Sequence, residues 1–332
     1  MSEGCISHME KVIFSLGIIF WGLALGYIIQ ILVRKQIINL PLGIEPLQKA
    51  LQKFAFLILD PIVYLGAVWI INFNELKIIA LPFLGIFALL LGGILAFIFA
   101  RLLKMSRKQT GAYVISGGFS NIGLIGALLC FTFLGEAGFA LAAFYKLFET
   151  FSYYIIGFPV AKSFSGAVVK SESFRERARK VFTDPFVLVA TVSMLAGMIL
   201  NLSGIERPAF FASITAVFVP LATILFLSSI GMAMVIRRVG KYIKEGLHIA
   251  LIKFAIVPLV VTTIAYFLGF GEIDQGLPLK VVLILSCMPV GFTAMVPPTI
   301  YELDVDLANA TWLVTNLLLV VVVPILFILV RL

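Results

Sequence analysis

The chain has 332 residues, 61% of them hydrophobic and 13% charged, with 25 Lys and Arg against 17 Asp and Glu for a net charge of +8. A soluble domain carries roughly 25% charged residues, so this composition and a mean hydropathy of +1.12 exclude an ordinary water-soluble fold and point to an all-α polytopic membrane protein. In a soluble protein the positive excess would suggest nucleic acid; here it reads as basic cytoplasmic loops, with the lipid bilayer as partner and no nucleic acid.

The N-terminal MSEGCISHMEK carries acidic groups, lacks a basic leader, and is read as the start of a retained helix rather than a cleaved signal. Ten apolar runs then approach the ~20 residues that cross a hydrocarbon core: 12–33, 52–73, 78–101, 110–134, 137–160, 185–203, 209–235, 246–269, 277–301 and 306–330. The segment 36–50 is amphipathic and suits the interface. Basic residues crowd alternate loops: Arg34, Lys35, Lys49 and Lys53; Arg101, Lys104, Arg107 and Lys108; Lys162, Lys170, Arg175, Arg177, Arg179 and Lys180; Arg237, Arg238, Lys241 and Lys244. The intervening loops hold only Lys77, Arg207 and Lys280. This bias places the polar linker 162–184 in the cytoplasm and both termini outside. The loop with Glu302, Asp304 and Asp306 falls on the cytoplasmic side, and its aspartates are read as having no further partners.

Five runs on each side of the linker invert the second half relative to the first. The chain is thus expected to divide into repeats at 1–161 and 185–332. Pro61 and Gly66 in the second run echo Pro220 and Gly231 in the seventh; Pro159 and Pro324 sit near the ends of the fifth and tenth.

Two runs are interrupted. SGGFSNIGLIG at 116–126 gathers Gly117, Gly118, Gly123 and Gly126 around Asn121, and glycine costs ~1 kcal/mol relative to alanine in a helix interior. CMPVGFTAMVPP at 287–298 places Pro289, Gly291, Thr293 and the Pro297-Pro298 pair in the ninth run, where proline removes a backbone donor. Loose backbone survives in a bilayer only where protein or a water-filled cavity satisfies it, and matched breaks in two halves point to a transporter binding site. If both breaks cross near the midplane, half-helix amides face the crossing and suit an anion such as a carboxylate. The plainer reading is that the glycines allow close helix packing.

Ionisable residues at depth cost about 2.5–3.5 kcal/mol each on insertion scales, so each is a candidate for coupling or charge balance. Lys146 and Glu149, three residues apart, share a helix face. Lys253 would balance an anionic substrate or cap carbonyls of the ninth-run break. Asp60, before Pro61, reads as a proton or cation site or as a hydrogen-bond partner for freed backbone. His248 is expected to snorkel at a helix end, and Glu136 to be solvated in a short outer loop. Thr311, Thr315 and Asn316 offer polar groups near the ninth-run break. Cys5, Cys130 and Cys287 imply no disulfide framework, and no metal-ligand or catalytic signature appears, so neither enzyme activity nor a cofactor is expected. Coupling to Na+ or H+ stays open.

The stretch SGGFSNIGLIGALLCFTFLGEAGFALAAFYKLFETFSYYIIGFPVA resembles the fourth and fifth helices of the auxin efflux carrier family, and CMPVGFTAMVPPTIYELDVDLANATWLVTNLLLVVVVPIL resembles its ninth and tenth. IKFAIVPLVV at 252–261 is similar to the family's eighth helix. The resemblance implies ten helices in two inverted five-helix repeats, a fold shared with bile acid–sodium symporters. It also implies a scaffold from runs 1, 2, 6 and 7 and a moving domain from runs 3–5 and 8–10. The implied activity is secondary transport of a small organic anion by elevator-type alternating access; sodium-coupled symport of the bile-acid type is the alternative. The family's asparagine falls on Asn121 and its first ninth-helix proline on Pro289. Substrate contacts are expected from Gly118, Phe119, Asn121, Pro289, Gly291, Thr293 and Pro297. Val290 and the Gly117-Gly118 pair differ from the plant carriers, as does the short linker, so the resemblance is to a bacterial-type permease of the inner membrane. A homodimer is among the expectations.

Overall fold

Apolar runs set the helices of this protein, and prolines set where they bend. The computed structural model describes residues 2–41, 43–71, 75–166, 173–234 and 239–331. Lys170, Arg237 and Arg238 of the basic loops lie outside them. The helices are α1 (Ser2–Arg34), α2 (Ile44–Phe54), α3 (Asp60–Val68), α4 (Leu81–Leu102), α5 (Arg107–Gly118), α6 (Ala127–Tyr145), α7 (Glu149–Ser152), α8 (Phe158–Ser163), α9 (Phe174–Thr183), α10 (Pro185–Leu202), α11 (Phe210–Ala233), α12 (Ile243–Leu251), α13 (Val257–Phe267), α14 (Leu277–Ser286), α15 (Val296–Ile300), α16 (Val305–Leu317) and α17 (Leu319–Arg331). Among the described residues no strand forms, and one isolated antiparallel bridge joins Ser120 to Val290.

Three wide π turns, Ala55–Leu59, Tyr153–Gly157 and Ile252–Ile256, run straight into α3, α8 and α13. Each of those helices has proline as its second residue: Pro61, Pro159 and Pro258. A proline donates no hydrogen bond and its ring presses on the carbonyl four residues back, so the preceding turn widens to a longer bond.

Among the described residues, seven helices are long and apolar enough to cross a membrane, or eight if the α16–α17 pair, bent by 48°, counts as one. The chain is therefore a polytopic helical membrane protein. The shortfall from ten has local causes. Run 4 begins with the polar α5, and run 9 is cut into the short α14 and α15. Runs 4 and 5 also merge into one apolar stretch, Ile122–Ser163, of 42 residues. As a straight helix that stretch would extend about 63 Å, twice the ~30 Å hydrocarbon core. Gly135 breaks it, with φ 75° and ψ −163°, and Arg107 Nη2 donates to the Ser163 carbonyl at 2.6 Å. The segment 107–163 therefore starts and ends in one place. The second apolar segment begins earlier than expected, at Ile44, so part of the predicted interfacial stretch is continuous with it. The linker contains α9, whose Ser173 and Glu176 form a reciprocal capping box.

The chain forms two compact units. The first comprises Met1–Asn72, Ala127–Ala143 and Pro185–Val235. Here α1 packs along α11 and α3 along α10. Small residues allow the approach: a Cβ on Gly26 would fall on the Ser228 carbonyl, and one on Gly231 on the Leu23 carbonyl. Glu136 is not solvated. Arg207 grips both its oxygens, Nη2 to Oε2 at 2.8 Å, and Thr215 Oγ1 donates to Oε1 at 2.9 Å. The half-buried acid has found a bidentate partner, the arrangement that offsets desolvation best.

The second unit comprises Phe73–Gly126, Phe144–Asp184 and Ile236–Leu332. In it α4 packs on α5, α13 on α14, and α16 on both α5 and α12. A Cβ on Gly92 would strike the Gly117 carbonyl, and Gly118 lies beside Gly93; both glycines of this pair serve helix packing. His248 packs on an aromatic neighbour. Its ring lies 6.2 Å from that of Phe99, and its buried Nδ1 has no partner among the described residues. Asp304 also has partners: Tyr242 Oη donates to it at 2.6 Å, and it caps α16 by accepting from the Leu307 amide at 2.9 Å.

Candidate functional site

Both predicted breaks are real, and within the second unit they meet. Helix α5 stops at Gly118 and α14 at Ser286. The extended residues between the broken pieces then pair: the Asn121 amide donates to the Pro289 carbonyl at 2.9 Å, and the Gly291 amide to the Phe119 carbonyl at 3.1 Å. Two hydrogen bonds thus replace helical bonds that the breaks forgo, as a buried backbone requires. The approach explains Gly291, where a Cβ would lie 2.9 Å from the Ser120 carbonyl oxygen.

Each break presents two kinds of helix end, not amides alone. α5 and α14 arrive with their carbonyl ends; the turn Ile122–Gly126 and the turn Phe292–Met295 leave with amide ends. Asn121 caps the first departing turn. Its Oδ1 accepts from the Ile125 amide at 3.3 Å and its carbonyl accepts from Gly126 at 3.0 Å. Its Nδ2 makes no hydrogen bond to the described residues, so an amide donor stays available at the crossing.

Lys253, only 2% exposed, reaches the first break and not the second. Its Nζ donates to the Phe119 carbonyl at 3.2 Å and to Ser120 Oγ at 2.5 Å. A cation at the carbonyl end of α5 is favourably placed in the helix dipole. Lys146 Nζ and Glu149 Oε2 lie together against the open side of Gly123. The structure therefore gathers two ammonium groups and one carboxylate beside the first break.

Tyr153 and Ser120 complete the site and were not singled out in the sequence, whereas Thr315 lies at the ninth-run break as expected. The Tyr153 ring stacks on Phe119 at 3.9 Å. Its hydroxyl meets the Ser120 amide at 3.1 Å, the Ser120 carbonyl at 3.0 Å and Glu149 Oε1 at 2.9 Å. One signal was available: Glu149 and Tyr153 are four residues apart, on one helical face. At the second break, Thr315 Oγ1 accepts from the Val290 amide at 3.2 Å, and Asn316 Nδ2 donates to the Val290 carbonyl at 3.2 Å. These α16 groups brace backbone.

The structure thus brings together Gly118, Phe119, Asn121, Pro289 and Gly291, with Lys146, Glu149 and Lys253 beside them. Thr293 is exposed in the departing turn, and Pro297 is buried in α15. Asp60 belongs to the first unit, where it accepts from Tyr64 Oη at 3.4 Å. Among the described residues no cluster of His, Cys, Asp and Glu could hold a metal ion. A groove of about 660 Å³ in the second unit, lined by Ser106, Lys108, Gln109, Tyr242, Asp304 and Asp306, lies at connecting loops away from these breaks.

No family model matches the chain. It is similar to an uncharacterized transporter of Methanothermobacter thermautotrophicus, 24% identical over 234 residues that cover 70% of this chain and 72% of the relative. It is also similar to an uncharacterized transporter of Methanocaldococcus jannaschii, 23% identical over 253 residues, 74% of this chain and 78% of the relative.

Proposed function

We propose that the chain is a secondary transporter of the auxin efflux carrier type that moves a small organic anion, a carboxylate or dicarboxylate, by elevator-type alternating access. The observation that carries the reading is the pair of membrane-embedded breaks hydrogen-bonded to each other through Asn121–Pro289 and Gly291–Phe119. Irregular backbone at depth belongs to binding sites in transporters. The available Asn121 Nδ2 donor and the excess of one ammonium over carboxylate favour an anion as the occupant. Similarity to two archaeal transporters agrees with the class of activity.

The packing supports ten passes in two inverted halves. Splitting Ile122–Ser163 at Gly135 and adding the broken α14–α15 pass raises eight to ten. Within the first unit, run 1 packs on run 7 and run 2 on run 6 (α1 with α11, α3 with α10). Within the second, run 3 packs on run 4 and run 8 on run 9 (α4 with α5, α13 with α14). Such exchanged pairs are what a two-fold relation between halves produces. In this reading the unit that holds the crossing is the moving one, and the membrane is the plasma membrane with both termini outside.

Counterflow in proteoliposomes tests the proposal. Liposomes preloaded with unlabelled malonate, malate or indole-3-acetate should accumulate the labelled anion, and Asn121→Ala should lower apparent affinity by about tenfold, the equivalent of one lost hydrogen bond of ~1.4 kcal/mol. No counterflow of any carboxylate, with wild type and Asn121→Ala alike, would sink it.

A further inference from the structure

The hydrogen bonds of Tyr153 carry an inference that rests on the transport reading and extends it to the coupling ion. The phenolic oxygen has three partners: the Ser120 amide, the Ser120 carbonyl and Glu149 Oε1. A phenol has one proton to donate. The Ser120 N–H can only donate, so it occupies an oxygen lone pair in every state. The carbonyl can only accept. What the single phenolic proton does is therefore decided by Glu149.

When Glu149 is ionised, it has no proton to give, and Tyr153 turns its O–H to the carboxylate, the stronger acceptor. The Ser120 carbonyl then faces a lone pair and has no other donor among the described residues; Lys253 takes the Ser120 hydroxyl, not its carbonyl. When Glu149 is protonated, its O–H donates to Tyr153, and the phenolic proton turns to the Ser120 carbonyl. All three groups are then satisfied. That carbonyl is at the crossing itself, 2.9 Å from where a Cβ on Gly291 would sit. The geometry points to Glu149 as the binding site of a coupling proton, and to Tyr153 as the positioning residue that reports its occupancy to the backbone of the crossing.

The charges acting on Glu149 are those of Lys146, on the same turn, and Lys253, from the π turn Ile252–Ile256. Helices α4 and α9 also pack on α7; α9 carries Arg175, Glu176 and Arg179, none of which is among the groups acting on Glu149. The step is a proton binding from water to the carboxylate, forming one O–H bond that breaks on release, with nothing oxidised or reduced. Because protonation caps a carbonyl that would repel an anion, proton and anion binding reinforce each other. By linkage the effect is reciprocal. The proton and the anion therefore travel together.

Two measurements separate this inference from the transport reading. Infrared difference spectra of the purified protein in lipid, between acidic and alkaline buffer, need no substrate. A protonated-carboxyl band should appear in wild type, vanish in Glu149→Gln, and change frequency in Tyr153→Phe, which removes its hydrogen bond without altering the ring stack. In proteoliposomes, an inward proton gradient should raise wild-type malonate uptake by about tenfold, within the ordinary range of coupling, while Glu149→Gln uptake should not respond to the gradient at any rate it attains. A band unchanged in Glu149→Gln, or identical in Tyr153→Phe, would overturn the inference even if no anion is carried. Uptake indifferent to the gradient in wild type would overturn it while leaving transport standing.

Discussion

The two breaks do the same thing to the backbone and are held by opposite kinds of group. The first, at 119–121, is held by ionisable side chains from elsewhere: the Lys253 ammonium and the Tyr153 hydroxyl, itself bonded to Glu149. The second, at 287–291, is held by neutral groups of one helix, where Thr315 and Asn316 of α16 take the amide and carbonyl of Val290. Val290 and Thr315 are fully buried. Neutral hydrogen bonds do not change with protonation, whereas the network at the first break can be rearranged by a proton. The second break is a fixed edge of the site; the first is its adjustable edge.

The comparison is broken most severely by Gly291→Val. The added side chain meets the Ser120 carbonyl, so both edges are forced apart. We expect a loss of about 3 kcal/mol, the upper end of overpacking costs, read as a large drop in melting temperature in detergent together with loss of counterflow. Lys253→Met comes next. It strips the Phe119 carbonyl of its side-chain donor and leaves a buried acceptor short, a loss of about 2 kcal/mol, and it should lower malonate uptake because it removes one of the two cations. Asn316→Ala is the mildest, at about 1 kcal/mol, because Thr315 still holds Val290. It should lower the melting temperature and leave the proton dependence of uptake in place. If Asn316→Ala abolished that dependence while Lys253→Met did not, the assignment of fixed and adjustable edges would be reversed.

The location of the breaks was legible because glycine and proline carry their backbone consequences in any surroundings. Gly117, Gly118, Pro289 and Gly291 mark it. What lies opposite each polar group was not. Lys253 was read as balancing an anionic substrate or capping the second break, and it caps the first, because its partners are more than 130 residues away and no local rule fixes that distance. Glu136 was read as solvated for the same reason, its Arg207 being 71 residues away. The anion expectation treated the breaks as amide ends, whereas α5 and α14 also deliver carbonyls there. By contrast, α9 was there to be read. Ser173 followed by Glu176 is a local signal, passed over because the linker was judged by its charge.

The wide turn at Ile252–Ile256 holds one residue more than a regular turn. Each residue of an ordinary helix rotates the next by about 100°. Deleting a single residue there would swing everything upstream, α12 included, around its axis relative to α13. Lys253 sits inside that turn, five positions before Pro258. The direction in which its ammonium points is thus tied to an imino acid five positions on, and a lineage that lost the ring would have to re-aim the lysine or abandon it.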